Sequence, residues 1–288
     1  MKDKEYIELH LPIGGFDTDA LSGILYMAGC MGIQELEDAG EWLVYLPGDW
    51  TPEHMGQLLS RLQQVNPDFD PESARFEKLP YRDWNAEWKQ YFVPIEAAPG
   101  IWVRPPWHPL PEEAGGTEVI IDPQMAFGTG HHETTRLMIQ AMQTLPMQGA
   151  TVLDLGTGSG ILAILARKLG AGRVLAVDID PEAIANARHN AALNQVEDID
   201  FVVGDISVAE GRRFSIILAN IEFGVLAGLA LHFYQLLEPG GNLLLSGLLK
   251  EDVSRLSYIY KQAGLYVADK WVMNEWVAVV CGGEMSFY

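Results

Sequence analysis

The chain has 288 residues, 48% of them hydrophobic, which is enough for two modest domains or one large one with a real core. Its formal charge of −20, from 39 Asp and Glu against 19 Lys and Arg, excludes nucleic-acid recognition through the phosphate backbone, which demands a basic face. No apolar run spans a bilayer and the opening MKDKEYIELHLP lacks a signal-peptide core, so a cytoplasmic protein without membrane contact is expected.

In chain order, YIELHLPI alternates like a strand, and DTDALSGILYMAGC opens on an Asp/Thr cap before helix-like apolar spacing. MGIQELEDAGEWLVYLPG reads as two strands around an Asp-Ala-Gly turn. TPEHMGQLLSRLQQV starts a second helix with Pro52 at its first position, and ESARFEKL supplies a last strand. The order βαββαβ predicts a small ferredoxin-like α+β domain over residues 1–78. No reactive constellation falls within it, so its expected task is recognition of a substrate.

Residues 79–118 read as a linker helix followed by a proline-rich connection. Trp84, Trp88, Tyr91 and Phe92 form an aromatic stripe at helical spacing, a pattern that packs between elements more often than it touches substrate. The prolines from Pro94 to Pro111 mark the domain boundary. Over residues 119–288 the segments TVLDLG, GILAILARKLG, RVLAVDID, PEAIANARHNAALN, DFVVGD, FSIILAN and GNLLLSG alternate strand and helix. Near-continuous apolar strands between amphipathic helices predict an α/β domain with a parallel sheet covered on both faces. The tail LYVADKWVMNEWVAVVCGG adds a terminal antiparallel hairpin. Cys30 and Cys281 lie far apart without metal spacing and read as reduced thiols.

Two glycine-rich segments sit close together, DPQMAFGTGHHETTR at 122–136 and VLDLGTGSG at 152–160. The second places Gly156, Gly158 and Gly160 between a strand and a helix, where the backbone can turn sharply and approach a ligand. Counting from Gly156, the third glycine of the dinucleotide fingerprint falls on Ile161, which makes a nicotinamide or flavin dinucleotide the runner-up. Asp178 ends the next strand, where an acid binds ribose hydroxyls, and Asp180 reads as a helix cap before Pro181. Asp205, ending the third strand, reads equally as an acceptor for an adenine amino group or as a plain loop residue. His131, His132 and Glu133 are adjacent on one short turn and do not converge easily on an ion, so no metal is expected.

Together, WNAEWKQYFVPI, IDPQMAFGTGHHETTR, LDLGTGSGILAI, DIDPEAI and LANI resemble the PrmA family of class I methyltransferases, which use S-adenosylmethionine to methylate the large-subunit ribosomal protein L11. The resemblance implies a Rossmann-like catalytic domain. It implies that Thr135 contacts the cofactor, that Gly156 lies against it beside Gly158, and that Asp178 holds its ribose. Phe127 would cover the methionine or adenosine portion. Asn220 would sit by the transferred methyl group and the incoming amine, as the catalytic residue. The implied partner is basic L11, with lysine side-chain or N-terminal amines as targets and the enzyme a monomer. A methyltransferase for another protein or a small amine, an NAD-dependent oxidoreductase and a non-catalytic adenosine-binding scaffold remain the alternatives. The sequence departs from the family pattern at Glu222, usually an apolar position, and at His131 and Glu133, where the family more usually reads Thr-His-Pro-Thr-Thr.

Overall fold

Alternation in YIELHLP and EWLVYLP is what a half-covered sheet requires, and both runs form strands in the computed structural model, which describes residues 6–36, 40–79, 92–123, 128 and 130–283. The chain divides into two units, Met1–Lys89 and Gln90–Tyr288.

In the first unit, β1 (Tyr6–Pro12) pairs antiparallel with β3 (Glu41–Pro47) and β4 (Arg75–Leu79), while β2 (Gly32–Leu36) pairs with β3. The sheet order is β2-β3-β1-β4. Ile7, Leu9 and Leu11 alternate to one face and meet Trp42, Val44 and Leu46 there. That face is closed by Leu21 and Leu25 of α1 (Thr18–Met27) and Leu58 and Leu62 of α2 (Pro52–Val65). Helix α2 begins where its sequence directs. Thr51 caps it by accepting from the His54 amide, His54 Nδ1 accepts from the Thr51 amide, and Pro52 takes the first position.

The second unit begins earlier than residue 119. Residues 95–118, expected as a connection, contain β5 (Ile95–Ala98) and β6 (Ile101–Arg104), a hairpin, with β7 (Thr117–Ile120) parallel to β6. Ala97, Ala98, Ile101, Val103 and Val119 are buried in the main core. The prolines concealed two short strands: Pro99-Gly100 between apolar runs is a hairpin signal, and only 105–116 is irregular. Gly116, at φ +106°, lies so close to the Gly100 carbonyl that a Cβ would stand 2.1 Å from its oxygen.

Among the described residues, seven strands make the main sheet: β8 (Thr151–Leu155), β9 (Arg173–Asp178), β10 (Ile199–Val203), β11 (Phe214–Asn220), β12 (Leu237–Leu249), β13 (Tyr266–Met273) and β14 (Trp276–Gly282). Their order is β10-β9-β8-β11-β12-β14-β13. The first five run parallel, and β14 runs antiparallel to both β12 and β13. Neighbouring residues serve opposite faces. Val152, Val174, Ile216 and Leu244 pack on one side with α3 (Glu133–Met142), α4 (Ile161–Lys168) and α5 (Pro181–Leu193). Leu153, Leu175, Ile217 and Leu245 pack on the other with α6 (Phe223–Leu236) and α7 (Asp252–Gln262). Burial on both faces explains why these strands are apolar throughout rather than alternating. Cys30 and Cys281 are free, buried thiols.

Candidate active site

The chain winds from β8 outward to β10, then crosses to β11 and β12 on the other side of β8, so the crevice beyond the β8 and β11 carboxyl ends is the switch point of the sheet. A cleft of about 780 Å³ opens there. A depression of about 700 Å³ also lies along α2 in the first unit, so size alone does not select the site. Converging chemistry does: Gly156, Gly158, Asp178, Asp205 and Asn220 all line the larger cleft.

The floor is the turn after β8. Gly156 has φ +74°, and a Cβ there would come within 2.4 Å of Ile221 Cγ2. Gly160, at φ +81°, opens α4, and its Cβ would lie 2.9 Å from that of Ala187. The turn is held from below by Asp154, whose Oδ2 accepts from Thr157 Oγ1 at 2.6 Å and from the Ala163 amide at 3.1 Å. Asp154 is wholly buried, and its Oδ1 has no partner. Burial pushes its carboxyl up to about 7 against the pull of those two bonds, with a smaller push from Asp178.

Three carboxylates on the neighbouring strand ends are oriented by backbone amides. Asp178 accepts from Gly158 N at 2.9 Å through Oδ2 and from Asp180 N at 3.1 Å through Oδ1. Asp180 caps α5 by accepting from Glu182 N at 2.8 Å, the task its place before Pro181 predicts. Asp205 caps a short 3₁₀ turn, Ile206–Ala209, with Oδ1 accepting from both the hydroxyl and the amide of Ser207. Those bonds, the hydroxyl's foremost, hold its carboxyl below the usual range.

The opposite wall begins at Asn220, the last residue of β11, whose Nδ2 donates to Thr135 Oγ1 at 3.4 Å. Thr135 is buried behind this wall, while its neighbour Thr134 is on the lining with His132. Phe127 lies outside the described residues, and its expected covering role with it. Gly128 touches the floor, its carbonyl accepting from Ser159 Oγ at 2.6 Å. Glu222 follows Asn220 and also lines the cleft.

Sequence reading missed one side wall. Trp276, from the terminal hairpin, lines the cleft with its ring 5.1 Å from that of His132, edge to face. His132 in turn caps α3 through Nδ1, 3.3 Å from the Thr134 amide. Glu133, which had no task in the sequence, accepts from Asn274 Nδ2 at 3.1 Å, and the His131 ring packs against Phe92 at 5.2 Å. The three adjacent side chains thus serve separate partners. No local pattern could reveal Trp276, because it arrives from β14, some 140 residues beyond His132. Gly204 and Gly247 complete the lining.

A family model described as ribosomal protein L11 methyltransferase (PrmA) matches residues 5–283. A protein of that name from Caldicellulosiruptor saccharolyticus is 36% identical over 289 residues, covering 91% of this chain and 94% of its own. One from Porphyromonas gingivalis is 45% identical over 205 residues, 70% of each chain. The crystal structure of a ribosomal protein L11 methylase from Lactobacillus delbrueckii subsp. bulgaricus superposes with a TM-score of 0.63 at 30% identity, covering 67% of this chain and 99% of that one.

Proposed function

The chain belongs to the ribosomal protein L11 methyltransferase family, and from that premise we propose that it carries methyl groups from S-adenosylmethionine to lysine side-chain amines, N-terminal amines, or both, of L11. That it is an L11 methyltransferase follows from the family. The donor, the amines and the residues at work are the proposal.

The observation that carries the donor is the charge of the cleft. Asp178, Asp180, Asp205 and Glu222 line it, and no Lys or Arg does so among the described residues. Such a wall opposes the two phosphates of a dinucleotide and suits a cation. S-adenosylmethionine, when bound, supplies a methyl group attached to a positively charged sulfur. Asp178 keeps lone pairs for ribose hydroxyls after its two backbone bonds, and Asp205 keeps Oδ2 for the adenine amino group. Val177, Ile179 and Ile206 offer the base an apolar surface between them.

Asn220 is the residue we assign to the amine. With its Nδ2 turned to Thr135, its carbonyl oxygen is the atom that accepts an amine N–H and fixes the direction of the nitrogen lone pair. Alignment of this kind is worth about 7–11 kcal/mol. Neutralising a lysine at pH 7 costs about 4–5 kcal/mol, and an α-amine about 1. Leu155, Ile221, Val225 and Leu229 make the surrounding wall apolar, so it lowers an amine's pKa by desolvation and reduces that cost. His132 and Trp276 close the side of the cleft against water. The first unit, with its own sheet and core, is the module we assign to recognition of L11.

Labelled S-adenosylmethionine incubated with the protein and a ribosomal extract from a strain lacking the enzyme tests this reading. Label on a single basic protein of the mass of L11, released as methylated lysine or methylated N-terminal residue, is the expected result. Label on RNA or small molecules alone overturns it.

A further inference from the structure

Of the four carboxylates in the cleft, three are bound to local backbone, and one is not. Asp178, Asp180 and Asp205 each accept from nearby amides. Glu222 stands at the N-terminus of α6 with φ −62° and ψ 150°, the backbone of a capping residue, yet its side chain caps nothing. Among the described residues it forms no ion pair. Arg255 lies over the ring of the neighbouring Phe223, at 5.2 Å.

The backbone that carries Glu222 is fixed on two sides. Gly247, at φ +85°, passes so close that a Cβ would lie 2.2 Å from the Ile221 carbonyl oxygen, and Gly156 presses on the Ile221 side chain. Asn220 is in register with Ser246 of β12 and bonded to Thr135. An uncommitted anion therefore sits on a rigid ledge two residues from the amide assigned to the amine, at the open side of the cleft, where Val225 is also exposed.

Resting on the S-adenosylmethionine reading above, we propose that Glu222 is a specificity-determining residue that draws the protonated form of the incoming amine to the cleft mouth and selects cationic amines over neutral nucleophiles. A carboxylate favours the ammonium, so it improves capture and makes the later loss of the proton harder. Glu222 is a recruiter and not a base. The two effects separate in kinetics: removing the charge raises KM for the amine-bearing substrate and does not lower kcat in parallel.

A binding test needs no methyl transfer. Sinefungin carries an ammonium-bearing carbon where S-adenosylmethionine has its methylsulfonium, whereas S-adenosylhomocysteine is neutral there. Calorimetry with both ligands on wild type, Glu222→Gln and Glu222→Asp reads the charge at that point directly. Glu222→Gln is expected to weaken sinefungin about 3–10-fold relative to S-adenosylhomocysteine, with the latter unchanged, as befits a partly solvated charge. Glu222→Asp should retain the wild-type ratio. An unchanged ratio in Glu222→Gln, with both ligands bound, overturns the role of Glu222 alone. Failure of wild type to bind either ligand overturns the cleft reading and this inference with it.

Discussion

At the scale of single residues, Asp178 and Asp154 make opposite demands on their carboxylates. Asp178 accepts from two amides and keeps lone pairs facing the cleft, so Asp178→Ala should weaken S-adenosylmethionine binding by about tenfold or more, since hydrogen bonds to a charged group are worth about 1.5–3 kcal/mol. Calorimetric affinity equal to wild type would remove Asp178 from the site. Asp154 is a buried acid whose carboxyl is pushed up to about 7 from the ordinary aspartate value of 3.8. The folded protein therefore keeps a proton that the unfolded chain releases. Stability from this group is full below pH 4, declines as pH rises, and is lost above 7, a cost of about 4 kcal/mol. In Asp154→Asn the amide oxygen can take the Thr157 and Ala163 donors without that titration. The difference in unfolding free energy between variant and wild type should move toward the variant between pH 4.5 and 7.5. A difference independent of pH in urea titrations would refute the assignment. Asp178 was legible as a strand-end acid placed for ribose hydroxyls, whereas the role of Asp154 was not, because its burial depends on helix and sheet faces closing over it. Thr134 and Thr135 show the same limit: a sequence names the pair, while helix phase decides which one faces the cleft.

Elements were legible where their signals are local. Thr51-Pro52 and Asp180-Pro181 start helices because capping is a matter of four consecutive residues. The strands β5 and β6 were hidden by prolines around them, and the side wall was hidden by distance along the chain. That wall depends on a turn in which Asn274 takes φ +51° and ties the hairpin to the first residue of α3 through Glu133. Asn tolerates the left-handed region better than other side chains, and Ala does not. Asn274→Ala should lower unfolding free energy by about 1–2 kcal/mol, through strain and the lost bond. Asn274→Gly removes the bond without the strain and should cost less. Equal losses in the two variants, measured by denaturant midpoints, would show that the turn conformation contributes nothing.

For the whole molecule, composition spoke first. A chain with 39 acidic and 19 basic residues should attract a basic ribosomal protein at long range, and that attraction is screened over about 8 Å at physiological salt. Association rates with L11 should therefore fall as salt rises from low to physiological concentration, while S-adenosylmethionine affinity changes little. A salt-independent association rate would end the steering idea and leave the chemistry untouched. Composition and pattern together made the alternation of strands and helices readable over the second unit, and no helix among the described residues is long and apolar enough to cross a membrane.

One consequence follows from where β14 lies. It is the last strand among the described residues, yet it sits inside the sheet between β12 and β13. Synthesis proceeds from the N-terminus, so every earlier part of the cleft is made before Trp276 is. Until residues 276–282 emerge, β12 presents an unpaired edge and the cleft lacks its side wall. A chain that stops before Trp276 lacks both the side wall of the cleft and the strand that pairs with β12. Chains that stop before Trp276 should accumulate as sticky, inactive sheets rather than as weak enzymes, as sedimentation and methyl-transfer assays would read.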